Sequence, residues 1–308
     1  GLGDVYKRQV EHREYYRLFY DSPYTGMVEK TAAFQENAEN RNFVSFIDSD
    51  ERITEYYILK EECEITLKDN KVLNSNYDLL TLLRQNEISE LSIGANTSSS
   101  AVLPSIIYDY FPSLVRKIDY NQATYYEFTK RDINPVSMYR SDVYENDFEN
   151  NGQADPWHFK KENIIAVDSL QEKHAFQFQK DQEWGLSFDL AMKDLHTKQN
   201  DFIDIRLDIK SWNIDDELLI VSEIVGNGEK YDWRSSSNRS YIPKDESGDY
   251  RMYHSIKLSD LHFPSDKVQL KIYCWNKGKT PILIDNFSVK VRIGNPVLYG
   301  LLRNIEND

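Results

Sequence analysis

From Asp147 to Arg292 the helical period disappears, and short stretches of alternating apolar and polar residues follow one another with turn residues every dozen or so positions. A period of two sorts side chains to one core-facing side only when the backbone is extended, so this half of the chain is committed to sheets. The stretches run His174 to Gln179, Gly185 to Leu190, Phe202 to Trp212, Glu217 to Val225, Tyr253 to Leu258, Val268 to Trp275 and Pro281 to Arg292. In the fourth, Leu219, Val221 and Glu223 alternate with Ile220, Ser222 and Ile224, which leaves its solvent face open. Seven or eight strands without a long helix predict a two-sheet antiparallel β-sandwich with Greek-key or jelly-roll connections.

The first half reads differently. After a Ser22-Pro23 break that opens a helix with Pro in its first turn, Met27, Val28, Thr31, Phe34 and Ala38 recur at three- and four-residue spacing. Phe43 to Ile47 predicts a strand ending at Asp48-Ser49-Asp50, and Ile53, Tyr56, Tyr57 and Leu59 predict the helix that follows. Asp78 to Arg84 and Val102 to Phe111 are further helices, Leu91 to Ile93 and Ala123 to Lys130 further strands. The whole is expected to be an α+β two-domain chain: a helical lead-in over residues 10–42, a small open-sheet α/β domain over 43–132, a linker over 133–146, the sandwich over 147–293 and a tail over 294–308. Residues 1–9 contain Asp4-Val5-Tyr6-Lys7-Arg8-Gln9, which resembles the in-frame translation of a transposon end used in sequencing libraries, so the natural chain is expected to begin upstream of Val10.

Thirty-seven basic against fifty-one acidic residues give a net charge of −14, which makes nucleic acid and anionic membrane surfaces poor partners. Twenty-one Tyr, fourteen Phe and five Trp suit a sandwich core and also the apolar faces of sugars. Cys63 and Cys274 lack metal-site spacing; two free thiols are the default reading, with a single bridge as the alternative. No run approaches the ~18 apolar residues of a membrane span, and any membrane attachment is expected only through a missing N-terminal part.

Catalytic patterns are thin. The six histidines never fall at i, i+4 or in HExxH, no G-x-S-x-G elbow or P-loop occurs, and carboxylate pairs such as Asp48/Asp50 or Asp215/Asp216 are common by chance in so acidic a chain. No catalytic residue is therefore assigned. The candidate binding loop follows Val225: Gly226-Asn227-Gly228-Glu229-Lys230-Tyr231-Asp232-Trp233-Arg234. Two glycines supply turn freedom, Tyr231 and Trp233 flat apolar faces, and Asp232 and Arg234 acceptors and donors for hydroxyls. The alternative is that Trp233 folds back to cap the sandwich; Trp212 and Trp275 are assigned to the core.

Asn146-Asp147-Phe148-Glu149 at the opening of the sandwich and Ile284-Asp285-Asn286-Phe287-Ser288-Val289 at its close resemble the ends of galactose-binding-like jelly rolls, carbohydrate-binding modules among them. Asp147 stands where those domains often have Gly, so the opening match is partial. The resemblance implies a glycan ligand, no required cofactor, and a structural calcium with Glu149 and Asp285 as its carboxylate ligands; a plain hydrogen-bonded Asp at a strand start is the alternative. Over most of Val10 to Leu302, Tyr20-Asp21-Ser22-Pro23-Tyr24, Phe46-Ile47-Asp48-Ser49-Asp50, Phe111-Pro112 before Lys117-Ile118-Asp119-Tyr120, and Gly294-Asn295-Pro296-Val297-Leu298-Tyr299-Gly300-Leu301 resemble the C-terminal extracytoplasmic region of Bacteroidetes membrane glycosyltransferases of the dolichyl-phosphate-mannose-mannosyltransferase-like class. That resemblance implies a non-catalytic accessory region binding a glycan or glycosylated acceptor at the periplasm or cell surface, its parent anchored in the inner membrane. The alternative is a secreted or surface carbohydrate-binding protein with no enzyme attached.

Overall fold

The structure, a computed structural model, describes residues 23–38, 41–85, 87–149, 155–168, 173–210, 216–242, 250–261 and 267–297. The N-terminal stretch 1–22, Trp212 and His262 lie outside these. The chain divides into two compact units, one of residues 1–74, 81–137 and 294–308, the other of 75–80 and 138–293.

In the first unit, β1 (Phe43–Ile47), β2 (Glu90–Asn96), β3 (Ser113–Tyr120) and β4 (Ala123–Thr129) form a sheet of order β1-β2-β4-β3. Only the β1–β2 pair is parallel, and a parallel pair needs a crossover; α2 (Glu51–Lys60) and α3 (Asn76–Leu83) lie between those strands in sequence. Asp50 caps α2 by accepting from the Arg52 amide at 3.0 Å, and α1 (Pro23–Asn37) buries Met27, Val28, Thr31 and Phe34, the spacing read from the sequence. Met27 and Val28 meet Ile47, Ala123 and Tyr125 in the core, and α4 (Leu103–Tyr110), with Pro104 in its first turn, is the last α-helix among the described residues of this unit. β3 was not anticipated, because its Arg116-Lys117-Ile118-Asp119 segment puts charges on a half-exposed edge strand where an apolar alternation is not required. Residues 294–297, expected as the start of a tail, are tied to this unit: the Asn295 side-chain amide donates to the Tyr120 and Ala123 carbonyls at 2.9 and 2.8 Å, and Lys117 Nζ donates to the Gly294 carbonyl at 3.0 Å.

The second unit is a sandwich of two antiparallel sheets. One contains β5 (Tyr139–Asn146), β7 (Ile164–Asp168), β8 (Lys173–Gln177), β10 (Phe202–Lys210), β13 (Tyr250–Lys257) and β15 (Leu283–Arg292), in the order β13-β10-β15-β8-β7 with β5 also on β15. The other contains β6 (Trp157–Phe159), β9 (Leu186–Ala191), β11 (Leu218–Gly226), β12 (Glu229–Ser237) and β14 (Val268–Asn276), in the order β12-β11-β14-β9-β6. From β9 to β15 the chain passes back and forth between the sheets, as in a jelly roll. Trp157 of one sheet meets Phe287 of the other at a ring-centroid distance of 4.8 Å, which fixes the sheets face to face over a core of Ile203, Ile205, Leu270, Ile272 and Val289. A polar link crosses this core: the buried His254 of β13 meets Ser222 Oγ of β11 at 2.8 Å through Nε2 and Ser236 Oγ of β12 at 2.7 Å through Nδ1.

The stretch read as a linker contains β5, whose polar residues pair along β15. The outward side of the six-stranded sheet is closed by charge pairs. Arg292, 2% exposed in its side chain, forks onto Asp204 at 2.7 and 3.2 Å, and the same carboxylate accepts from Ser255 at 2.7 Å and Tyr139 at 3.2 Å. Arg251 forks onto Asp208 at 2.6 and 3.2 Å. Burial raises the Asp208 carboxyl, but Arg251 and Asn286 outweigh it and hold it below the usual carboxylate range. Both cysteines are free thiols, and no helix among the described residues is long and apolar enough to cross a membrane.

Candidate functional site

The site is built on the alternation of β14. Val268, Leu270, Ile272, Cys274 and Asn276 are buried toward the core, so Gln269, Lys271, Tyr273 and Trp275 point outward. Cross-strand partners share a face, and the outward set therefore continues as Leu219, Val221, Glu223 and Val225 on β11, Trp233 and Ser235 on β12, Ser187 and Asp189 on β9 and His158 on β6. Val221 is fully buried although it lies on this outward face opposite Tyr273, so neighbouring side chains on the face cover it.

Trp184, in the segment leading into β9, stacks on Trp275 with ring centroids 5.2 Å apart and 18° between planes, and meets Tyr273 edge-on at 5.5 Å. Trp275 is held from behind: its Nε1 donates to Glu183 at 2.9 Å and Lys277 Nζ lies 5.6 Å from its ring centre. Trp184 keeps 49% of its surface exposed and becomes the outermost platform. The Tyr273 hydroxyl donates to Glu223 at 3.0 Å, the same carboxylate oxygen accepts from Lys230 at 2.7 Å, and the Trp233 side chain hydrogen-bonds Tyr273. Partial burial raises the Tyr273 hydroxyl pKa; the Trp233 contact opposes this and Glu223 adds to it. The Trp275 indole N–H and then Lys279 hold Glu183 below the usual carboxylate range, so Glu183 is ionised at neutral pH. Across this face a row of rings is thus bordered by fixed acceptors and donors.

The expected loop 226–234 is a tight hairpin. Asn227 and Gly228 both have positive φ, 54° and 81°, the two-residue turn that Asn-Gly favours, and pairing resumes at Glu229. Tyr231, Asp232, Trp233 and Arg234 are therefore strand residues and do not share a face. Trp233 points outward and is 45% exposed. Asp232 and Arg234 stand opposite the core-facing Ile224 and Ser222, on the other side of the strand, and pair with each other at 2.9 Å. Tyr231 occupies the register shift between the Ile224–Asp232 and Val225–Lys230 pairs. Trp275, assigned to the core from sequence, is on the outward face; Trp184 and Tyr273 were not singled out, although the all-apolar even positions of 268–274 announce which face Tyr273 and Trp275 occupy.

Glu149 accepts from the His174 amide at 3.1 and 3.2 Å and lies 3.3 Å from His174 Nδ1. Asp285 lies on β15 opposite Asp208 and accepts from the Asn286 amide at 2.8 Å. Among the described residues no group of three or more His, Cys, Asp or Glu comes together in a way that could hold a metal ion. Asn238-Arg239-Ser240 fits the three-residue glycosylation acceptor pattern, but Asn238 is fully buried, its side chain donating to the Asp216 carbonyl and accepting from the Leu218 amide, which excludes it as an acceptor in the folded chain.

No family model and no curated protein matches this chain. Among solved structures, the CBM22-1 xylan-binding domain of Paenibacillus barcinonensis Xyn10C is 15% identical and aligns over 52% of this chain and 99% of its own, with a TM-score of 0.33. The xylan-binding module CBM15 is 17% identical over 48% of this chain and 95% of its own, with a TM-score of 0.32, and the mannan-recognising module TmCBM27 is 14% identical over 50% and 99%, with a TM-score of 0.28. These structural neighbours are carbohydrate-binding modules, and at TM-scores this low the reading of the site rests on its own geometry.

Proposed function

We propose that the second unit binds a polysaccharide chain along the outward face of its five-stranded sheet. The observation that carries this reading is that both exposed tryptophans of the described residues, Trp184 and Trp233, belong to that one face, with Tyr273 between them. Sugar rings offer apolar C–H patches that gain by covering an indole, and hydroxyls at their rims that need donors and acceptors. Glu183, Glu223, Asp189, Ser187 and Lys230 surround the rings with both. Trp233 stands level with Lys271 in the register, two strands away from β14 and four residues along it from Trp275, on which Trp184 stacks, so the two platforms are spaced for a chain rather than a single sugar ring. An open sheet face serves holding rather than reaction, in keeping with a non-catalytic accessory role.

Calorimetric titration of the full chain with soluble xylan and mannan, the polymers named for its structural neighbours, tests this. Saturable binding weakened at least about tenfold by Trp184→Ala or Trp233→Ala supports it. Affinity unchanged in both variants, with their melting temperatures intact, contradicts it. The proposed parent, a membrane glycosyltransferase working outside the cytoplasm, is tested by the upstream reading frame: several apolar spans of about 20 residues favour it, and a lone signal peptide favours a secreted carbohydrate-binding protein.

A further inference from the structure

Beyond Tyr273, toward the Asn227-Gly228 turn, the same face opens into a depression of about 680 Å³ lined by Lys193, Lys230, Lys267 and Lys271, with Glu229 as its one acidic residue. In a chain with fifty-one acids and thirty-seven bases this inverts the average charge. Lys230 is committed to Glu223 at 2.7 Å. Lys193, Lys267 and Lys271 form no ion pair among the described residues, although Lys271 stands between Glu223 and Asp189 in the sheet register; Glu223 is taken by Lys230 and Tyr273, and Asp189 faces His158 at 3.9 Å.

The backbone holds these lysines around one space. A Cβ on Gly226 would come within 2.5 Å of the Lys267 carbonyl and 2.7 Å of Val268 Cγ1, so only glycine lets the hairpin close against the segment carrying Lys267. Lys193 enters from the short turn Met192–Leu195 after β9, and Lys271 from β14 two residues before Tyr273. Lys193 and Lys267 are exposed and Lys271 is half-buried, so three ammonium groups without an ionic partner among the described residues border one concavity, a local excess of positive charge that attracts an anion. The depression continues the aromatic face directly, since Lys230 and Tyr273 share Glu223.

We propose that this depression is a subsite for an acidic sugar, so that the glycan carried on the aromatic face bears carboxylate or sulfate groups. The proposal rests on the glycan-binding reading above and names its ligand class. Lysine is a point charge without a planar fork, suited to an anion presented in more than one orientation along a polymer.

The test uses the full chain and its Lys193→Gln/Lys267→Gln/Lys271→Gln variant, with polygalacturonate against its methyl ester and chondroitin sulfate against desulfated chondroitin as the probes. The expected result is a preference for the charged member of at least one pair, reduced about tenfold in the triple variant and narrowed by added salt, while binding of the uncharged member changes by less than about twofold. Preference for polygalacturonate identifies a carboxylate ligand, and preference for chondroitin sulfate a sulfated one. Trp184→Ala is expected to weaken charged and uncharged glycans alike. Equal affinity for both members of each pair overturns this inference and leaves the glycan face standing. Binding of the charged polymers that persists in Trp184→Ala and extends to polyglutamate marks a general polyanion surface and overturns it as well, and failure of all four polymers together with xylan and mannan overturns both readings.

Discussion

On the outward side of the six-stranded sheet, Asp204 and Arg292 are closed into a fork with Ser255 and Tyr139 on the same carboxylate, and Asp208 is closed by Arg251 and Asn286. On the outward side of the five-stranded sheet, two indoles stand about half exposed and three lysines lack ionic partners among the described residues. Both faces arise from the same alternation, and both carry charged and aromatic residues. The difference is satisfaction: one face has consumed its polar capacity internally, and the other holds its rings in place with Glu183 and Glu223 while leaving their outer surfaces uncovered. A buried ionic network specifies and closes a surface, whereas braced but uncovered rings are what a ligand needs to find.

Three perturbations sharpen or break this contrast, the largest first. Arg292→Ala leaves the Asp204 carboxylate buried without its counter-charge, and is expected to cost about 3–5 kcal/mol of stability by denaturant unfolding. A cost under about 1 kcal/mol would show that the six-stranded face is not closed by this pair.

The next effect is on pH. Burial, with Arg234 acting in the same direction, pushes the His254 pKa down to about 4 from 6.5. The unfolded chain takes up a proton below about pH 6.5 and the native chain only near pH 4, so this group's contribution falls by about 3 kcal/mol as pH drops through that window and then levels off. The His254→Gln variant should show a flatter stability profile between pH 6.5 and 4, and an unchanged slope would contradict the neutral, buried imidazole bridging Ser222 and Ser236.

The smallest effect concerns calcium at Glu149 and Asp285. At ~1 mM calcium a site of extracellular-type affinity would add about 0.4 to 1.4 kcal/mol, read as a lower melting temperature after chelation. A melt unmoved by chelator removes both residues from the metal proposal.

Much of this was legible where burial is one-sided. The helix over Met27 to Phe34, β10, β14 and β15 all show their period in the sequence because one face of each packs on a core. β12 was hidden for the opposite reason. An edge strand whose inner side carries the Asp232–Arg234 pair and Ser236, and whose outer side carries Trp233 and Ser235, has no apolar alternation to read, and its part from Glu229 to Arg234 reads from sequence as a loop. β5 was missed in the same way. Asp204 and Arg292 read as ordinary solvent-facing residues of alternating strands, since burial of an outward face depends on what covers it and not on its own period. Trp184 lies before a strand, where no period operates, and its place beside Trp275 follows only from the β9–β14 pairing.

The central claim is that the five-stranded face is the open one, and acrylamide quenching of tryptophan fluorescence in the full chain reads it directly. Titration with the best-binding glycan is predicted to shield the accessible tryptophans saturably, with the shielded fraction cut by Trp184→Ala and by Trp233→Ala while Arg292→Val retains the affinity in whatever fraction remains folded. Saturable glycan binding that leaves the quenching of Trp184 and Trp233 unchanged would place the ligand elsewhere and contradict the account.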